Sequence, residues 1–545
     1  MTEGRLDLMQ AMMSGMTVAY HAQQAPDRMA VMTNFGDRTF AELNAKANQL
    51  ARVFRNAGLK ADDGVAMLLV NRPEFLEVYY ACMRAGLRIT PINWHLTGDN
   101  ASYVVANSEA RAFIADIRCE QSAIDALADN AGQLSVKLVV GGTIDGFDDY
   151  SAVLGEQDSS NIDNAEIGAQ MLYTSGTTGR PKGVFRERGL AAAAGSATTS
   201  APASGTGAGP AATDTVNRSS IAAGWNAETD RALCTGPAYH AAPLAFNIIM
   251  PISNGVGTVL MDKWDPEETL KKIEEHGITH THMVATMFHR LLALPEDVRK
   301  KYDTSKLRYV LHGAAPCPVH VKHSMIEWFG PVIYEYYAAT EGGGGFFVTP
   351  EEWLAKPGTV GKAPPTTDNK ILADDGSEMP QGEVGTIYFK APAIRFQYYK
   401  DKAKTDGSYR GDYFTLGDMG YFDEDGYLFL TGRSAETIIS GGVNIYPQET
   451  DDVLLKHPAV DDVCTVGVPS EEWGEEVKSV VLLKEGIESS DELADELKSF
   501  TRETLPAFKA PRSIDFVDEL PRLPSGKIQR RLVRDPYWAG RDKQI

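Results

Sequence analysis

Residues 65–92 read VAMLLVNRPEFLEVYYACMRAGLRITPI. The first six, Val65–Val70, form an apolar run of the length expected for a buried strand. Phe75–Ala85, following Pro73, carries a helical pattern, and Leu87–Ile92 returns to strand character. Similar short apolar runs recur at Val136–Val140, Tyr309–Leu311 and Val332–Tyr336. Buried strands alternating with amphipathic stretches predict an α/β fold with parallel sheets, packed with helices into a large N-terminal domain.

Further along, the pattern changes. GDMGYFDEDGYLFLTGR is dense in turn signals, and the glycine-rich GRSAETIISGGVNIYPQE follows it. After that come expected strands at 460–468, 477–484 and 512–517 and an expected helix at 490–505. Ser489 and Glu492 have capping-box spacing for that helix. Leu493, Leu497, Phe500 and Thr504 repeat along one of its faces. The division is therefore placed at 1–432 for an N-terminal domain and 433–545 for a small mobile α+β domain, with 432–440 as hinge. Residues 190–220, rich in Ala, Gly, Ser and Thr, have little to bury and read as a flexible loop or irregular helix, with a substrate lid as the sharper alternative.

The 545 residues are 43% hydrophobic and 23% charged, which supports a sizeable core. At about 100–200 residues per domain, two to four folding units are expected. The net charge of −21 disfavours a general nucleic-acid coat. Five scattered cysteines without a Cys-x-x-Cys pair read as reduced, buried thiols. The N-terminus lacks a secretory pattern, and no apolar run is long enough to span a bilayer, so a cytoplasmic location is expected. A homo-oligomer is compatible with the sequence. His276, His280, His282 and His289 cluster without a cysteine or carboxylate to complete a ligand set, so they read as packing or solvated residues.

One motif carries chemistry by itself. In Tyr173-Thr-Ser-Gly-Thr-Thr-Gly-Arg-Pro-Lys-Gly183 the glycines allow close backbone approach to an anion. Hydroxyls and N–H groups can donate to phosphate oxygens, and Lys182 adds a point charge. Pro181 and Gly183 flank that lysine, which rules out a Walker A loop.

The whole string resembles the signature of the adenylate-forming superfamily, which includes acyl-CoA synthetases, peptide-synthetase adenylation domains and beetle luciferases. Further motifs follow in that family's order and extend the resemblance over almost the whole chain. It implies an acyl-CoA synthetase that joins a carboxylic acid to AMP and then passes the acyl group to coenzyme A, using ATP and Mg²⁺. By that resemblance Thr174, Ser175, Gly176, Thr177, Thr178, Gly179 and Lys182 hold phosphates. His240, in Pro237-Ala-Tyr-His-Ala-Ala-Pro243, lies beside the acyl carboxylate. Gly313, Ala314 and Ala315 form the loop packed on adenine, and Glu335 and Tyr336 also contact adenine.

In Tyr336-Tyr-Ala-Ala-Thr-Glu341, similar to Tyr-Gly-x-Thr-Glu, Thr340 sits at the α-phosphate and Glu341 holds Mg²⁺. Asp418 accepts from the ribose hydroxyls, an acceptor role that suits an ionised Asp. Arg433 reaches the ribose or phosphate. Lys527, in Leu523-Pro-Ser-Gly-Lys-Ile-Gln-Arg530, bridges carboxylate and α-phosphate. Gly441 and Gly442 border the pantetheine path, and Ala242, Phe246, Val284, Gly342 and Gly343 line the acyl pocket. The glycines leave room for a bulky, apolar acid: fatty, aryl or a steroid side chain.

Two features stand apart. Ala435 replaces the Asp or Lys common two residues past the family's hinge arginine, removing a polar contact that holds one domain orientation. Arg530, Arg531 and Arg534 read equally as a solvated face or as a contact to the diphosphate of coenzyme A. Three other functions share the motifs or the fold: loading of a separate carrier protein, a luciferase-like oxygenase, and non-catalytic acyl or nucleotide binding.

Overall fold

The computed structural model describes residues 6–96, 98–174, 180–186, 222–342, 344–364, 367–391, 395–523 and 527–540. Residues 190–220 and five of the eleven residues of the phosphate-loop motif, 175–179, lie outside that set.

The opening stretch folds as read. The strand Gly64–Leu68 leads into the helix Pro73–Ala85, which ends at Gly86 in the left-handed region (φ +74°). The chain returns as Arg88–Pro91, parallel to the first strand with Val65 opposite Ile89. Proline at the helix start supplies a preset φ where no N–H partner is needed, and glycine at the end takes the turn without a Cβ clash. Almost every residue of this helix is buried, which explains its weak polar face.

Around this unit lies a six-stranded parallel sheet, in the order Asp148–Asp149, Val136–Val140, Ala110–Asp116, Gly64–Leu68, Arg88–Pro91, Ala169–Gln170. An eight-stranded sheet runs Gly344–Val348, Ile333–Ala338, Tyr309–His312, His280–Met283, Arg231–Cys234, Gly257–Leu260, Met29–Met32, Arg38–Thr39. It is parallel except at its two edges. Leu50, Phe54, Phe75, Leu76, Val65 and Ile248 share one continuous core, which joins the first sheet's helices to the second sheet. An antiparallel sheet built on Gly385–Lys390 and Tyr413–Phe422 follows, ending in the strand Leu428–Arg433.

The C-terminal part has its own sheet of five strands. Val460–Ser470 and Gly474–Leu483 form a long hairpin, extended by Ile438–Ser440 and Val443–Ile445 and by the parallel strand Ser513–Val517. The helix Asp491–Thr504 covers it, burying Leu497 and Thr501. Its cap is Ser490, whose Oγ accepts from Leu493 N at 3.1 Å, one residue past the expected Ser489. Asp491 and Glu492 both lie in the first turn, so the acidic signal alone does not fix the register. Leu428–Arg433 pairs with the N-terminal sheet and Ile438–Ser440 with the C-terminal one, leaving the 3₁₀ turn Ser434–Glu436 as the crossing. All five cysteines are unpaired, and four are buried. Among the described residues, no helix is long and apolar enough to cross a membrane.

Candidate functional site

The parallel strands Arg231–Cys234, His280–Met283, Tyr309–His312 and Ile333–Ala338 run in one direction, so the loops leaving them gather at one rim. Crevices at the C-terminal ends of such strands are where ligands bind in open α/β sheets. Those four loops carry His240, Val284, Gly313 and the pair Thr340–Glu341.

His240 is the residue expected at the acid end. Its loop is pinned by Asn71, which is 2% exposed. Asn71 donates to the carbonyls of Gly236 (3.0 Å) and Met261 (2.8 Å) and accepts from Ala238 N (2.9 Å). The sequence reading missed Asn71; its signal was a polar residue between a buried strand and a proline-led helix. Among the described residues His240 Nε2 is buried without a partner, and burial pulls the ring's pKa down to about 4. The neutral imidazole thus retains an unused polar atom, which suits a ligand oxygen.

Ala242 caps the π-helix Pro243–Ile249, and Phe246 projects from it. The Phe246 ring stacks on His282 (5.7 Å, 17°) and packs against Tyr336 (4.8 Å). Tyr336 Oη lies 3.3 Å from His282 Nε2. His282 is held through its backbone, its N–H donating to Asn247 Oδ1 (2.8 Å) and its carbonyl accepting from Thr235 Oγ1 (2.7 Å). Val284 caps the next helix, Ala285–Leu292.

At the adenine loop, a Cβ on Gly313 would come within 2.6 Å of the Tyr336 ring and 2.7 Å of its carbonyl oxygen, so only glycine fits. Ala314 follows in the left-handed region (φ +68°), and Ala315 continues the loop. The two neighbours expected at adenine have side chains committed elsewhere. Tyr336 faces Phe246 and His282. Glu335 is buried between Lys322 (2.6 Å) and His312 (3.3 Å). Burial acts to raise its pKa, but those two groups pull it down to about 2.

The next side chain on that strand reaches Asp418. Tyr337 Oη donates to Asp418 Oδ2 at 2.6 Å, and Arg433 Nε donates to Oδ1 at 3.0 Å. Asp418 and Arg433 face each other across paired strands. Counting back from Thr340–Glu341, with Ala338 at the motif's glycine, Tyr337 takes the place of the motif's tyrosine.

The phosphate end follows. Thr174 closes the strand Leu172–Thr174 and pairs with Lys182 on the returning strand; Ser175, Gly176, Thr177, Thr178 and Gly179 lie outside the described residues. Lys182 Nζ lies 3.2 Å from Asp401. Arg186 donates to the Thr340 carbonyl (3.3 Å), and Tyr398 Oη donates to Glu341 Oε1 (2.9 Å). A Cβ on Gly342 (φ +91°) would meet Arg186 at 3.1 Å, so this glycine lies against Arg186. Gly343 lies outside the described residues.

Among the described residues, no group of three His, Cys, Asp or Glu side chains is arranged to hold a metal, and the four histidines of 276–289 form no such set. His280 bonds Ala223 O and stacks on Trp225, while His289 faces Asp461. A lone carboxylate beside a phosphate loop does fit Mg²⁺, which keeps waters and takes its other ligands from substrate phosphates.

From the C-terminal part, Lys527 enters this rim. Its backbone carbonyl accepts from Leu523 N at 2.8 Å, closing the loop that presents the side chain. Burial, then Arg433, pulls its pKa down to about 8, with Glu436 and Asp418 pulling the other way. Arg530 does not reach for a diphosphate: its guanidinium, 12% exposed, binds Asp451 (2.9 Å) and Glu436 (3.2 Å). Arg531 and Arg534 pair with Asp535. Gly441 and Gly442 (φ +58° and +81°) form the turn between Ile438–Ser440 and Val443–Ile445, with Gly441 against Trp473.

A rim of parallel-strand loops that gathers carboxylates and Lys182, with a second lysine brought from another sheet, is the setting expected of an enzyme that activates a substrate with a nucleotide. The chain belongs to the AMP-binding enzyme family: that family's model matches residues 18–399, and the model of its C-terminal domain matches 449–527. It is 32% identical over 514 residues to the 2-succinylbenzoate–CoA ligase of Bacillus licheniformis, covering 93% of this chain and 97% of that one. It is 31% identical over 515 residues to a feruloyl-CoA synthase of Amycolatopsis sp, covering 94% and 96%. Among solved structures it is similar to the o-succinylbenzoate CoA synthetase MenE from Bacillus subtilis in complex with its acyl-adenylate, OSB-AMP. That match has a TM-score of 0.76 and 26% identity, over 95% and 98% of the two chains.

Proposed function

We propose that this chain, an AMP-forming acid–CoA ligase working with ATP, Mg²⁺ and coenzyme A, takes an aryl carboxylic acid as its substrate. The ligase activity rests on the family and on the relatives' activities. The observation that carries the site assignment is Lys527, which is buried and lies close enough to Asp418 and Arg433, from the opposite sheet, for their charges to act on it. The aryl preference rests on the ring faces of Phe246, His282 and Tyr336 beyond His240. Two aryl-acid relatives support it.

In the first half-reaction a carboxylate oxygen attacks the α-phosphorus and the bond to pyrophosphate breaks. Two anions must meet, so the residues position the reactants and offset charge. The Lys527 ammonium bridges the incoming carboxylate and the α-phosphate. The neutral His240 ring steadies the carboxylate without adding charge. Asp418 accepts from the ribose hydroxyls while Tyr337 and Arg433 fix its orientation. Thr340 donates to the α-phosphate. Glu341, oriented by Tyr398, would hold the Mg²⁺, which neutralises phosphate charge.

In the second half-reaction the thiol of coenzyme A attacks the acyl carbonyl and AMP leaves. Residues 1–432 and 433–545 act as two domains, with the turn Ser434–Glu436 as the hinge. Rotation there withdraws Lys527 and brings Gly441–Gly442 towards the pantetheine. ATP–pyrophosphate exchange with a panel of aryl, straight-chain and steroid side-chain acids tests the reading. Exchange confined to straight-chain acids would overturn the aryl preference, and product release independent of coenzyme A would favour a carrier-protein acceptor.

A further inference from the structure

The helix that starts at His240 connects two chemically different places. Leu244 N already donates to His240 O at 3.0 Å, so the chain is helical from that point. Phe246 lies six residues on, roughly 8–9 Å along the axis. That is the span from the carboxylate of an aryl acid to the far side of its ring. There the Phe246 ring stacks on His282, and Tyr336 closes the third side with its hydroxyl on His282 Nε2.

This polar pair is neutral and has hydrogen-bonding capacity left. In either tautomer of His282 one bond joins the two groups. The phenol then retains an acceptor lone pair, and it also retains its proton when the imidazole is the donor. The electrostatic surroundings carry no charge to spare. Among the described residues, apart from the two groups' contact with each other, the titratable side chain acting on this pair is the buried His312. A hydroxyl can both donate and accept and costs little to bring here. A second carboxylate would be buried without a cation, which is heavily penalised.

We propose that Phe246, His282 and Tyr336 form a distal subsite that reads a neutral hydroxyl on the far end of an aryl acid and excludes a second carboxylate. The proposal rests on the aryl-acid reading above and narrows it. It also assigns the Tyr336 side chain to the acid, not to adenine.

The test compares cinnamic, 4-hydroxycinnamic and 4-carboxycinnamic acids by ATP–pyrophosphate exchange in the full-length enzyme, in Tyr336→Phe and in His282→Leu. The readout is the ratio of kcat/KM between acids within each protein, so a uniform loss through the nucleotide cancels. The wild type should favour the hydroxy acid over cinnamic acid by about tenfold to hundredfold, the worth of a buried hydrogen bond. It should disfavour the carboxy acid. In whichever variant still exchanges with cinnamic acid, the hydroxyl preference should collapse towards unity. A preference unchanged in both variants, or a wild type that prefers the carboxy acid, overturns this subsite while leaving the aryl-acid reading in place. Exchange with decanoic acid but with none of the three aryl acids sinks both.

Discussion

Lys527 makes the first half-reaction pH-dependent on the alkaline side. Its pKa is pulled down to about 8, first by burial and then by the Arg433 guanidinium. Depression means the charged form is lost earlier than for a free lysine, so the bridging cation disappears as pH rises through 8. On this value the ammonium is about 90% populated at pH 7 and about 10% at pH 9. kcat/KM for ATP–pyrophosphate exchange reports the free enzyme, so it should fall roughly tenfold from its plateau by pH 9. The acid substrate is ionised throughout this range and contributes no step of its own. Bound phosphates stabilise the ammonium, so the fall in kcat should sit at higher pH than the fall in kcat/KM. Lys527→Arg supplies a cation that does not titrate here. It should exchange more slowly yet show no alkaline fall between pH 7 and 9.5. A wild-type kcat/KM that stays flat to pH 9.5, or a fall of the same midpoint in Lys527→Arg, refutes the reasoning.

Asp418→Asn keeps the shape but removes the anion that Arg433 and Tyr337 address, and should weaken ATP by about 1–3 kcal/mol. The loss should be smaller for 2′-deoxy-ATP; equal losses would show that the ribose is not the partner. Lys322→Met leaves the buried Glu335 carboxylate without its nearest cation and should cost about 3–5 kcal/mol of stability, read as a lowered Tm. The sign with pH is diagnostic. In the wild type Glu335 has a depressed pKa, so its contribution is present above the ordinary carboxylate range and is lost as pH falls towards 2. Without Lys322 the buried carboxyl favours protonation, so acidification from pH 8 to 5 should narrow the gap to wild type; a constant gap would contradict the pairing. Gly441→Ala places a Cβ 2.7 Å from the Trp473 ring at φ +58°. It should slow thioester formation from supplied acyl-AMP more than pyrophosphate exchange, and equal slowing would place this turn outside the thiol path.

Much of this architecture could be read from periodicity. Val136–Val140 is a strand over the residues expected, and the unit at 64–91 differs only at its ends. Runs buried on both faces leave little room for another assignment. The strand expected at 460–468 runs on to Ser470 and its partner begins at Gly474, not at 477, because Pro469 and Ser470 still pair with Glu475 and Gly474 across the hairpin. The site was legible where a motif spans many residues. It was not legible where neighbours compete for one role. Glu335, Tyr336 and Tyr337 follow each other on one strand, and their side chains alternate between the Lys322 side, the aromatic box and Asp418. Only the pairing of that strand decides which one meets Asp418. Arg530 looked free because its partners, Asp451 and Glu436, lie about 80 and 94 residues away in the chain. The hinge contact absent at Ala435 has a neighbour in Glu436, which ties the crossing to Arg530.

Lys527, the mobile lysine, should serve adenylation alone. The direct measurement is Lys527→Ala assayed on the two half-reactions separately: ATP–pyrophosphate exchange with the acid, and thioester formation from supplied acyl-AMP and coenzyme A. The bridging cation should matter where a carboxylate meets a phosphate and not where a thiol displaces AMP. Exchange should fall by about two to four orders of magnitude, in line with the loss of a preorganised charge at the reacting centre. Thioester formation should stay within a few-fold of wild type. Equal loss of both half-reactions, or exchange that survives the substitution, would contradict it.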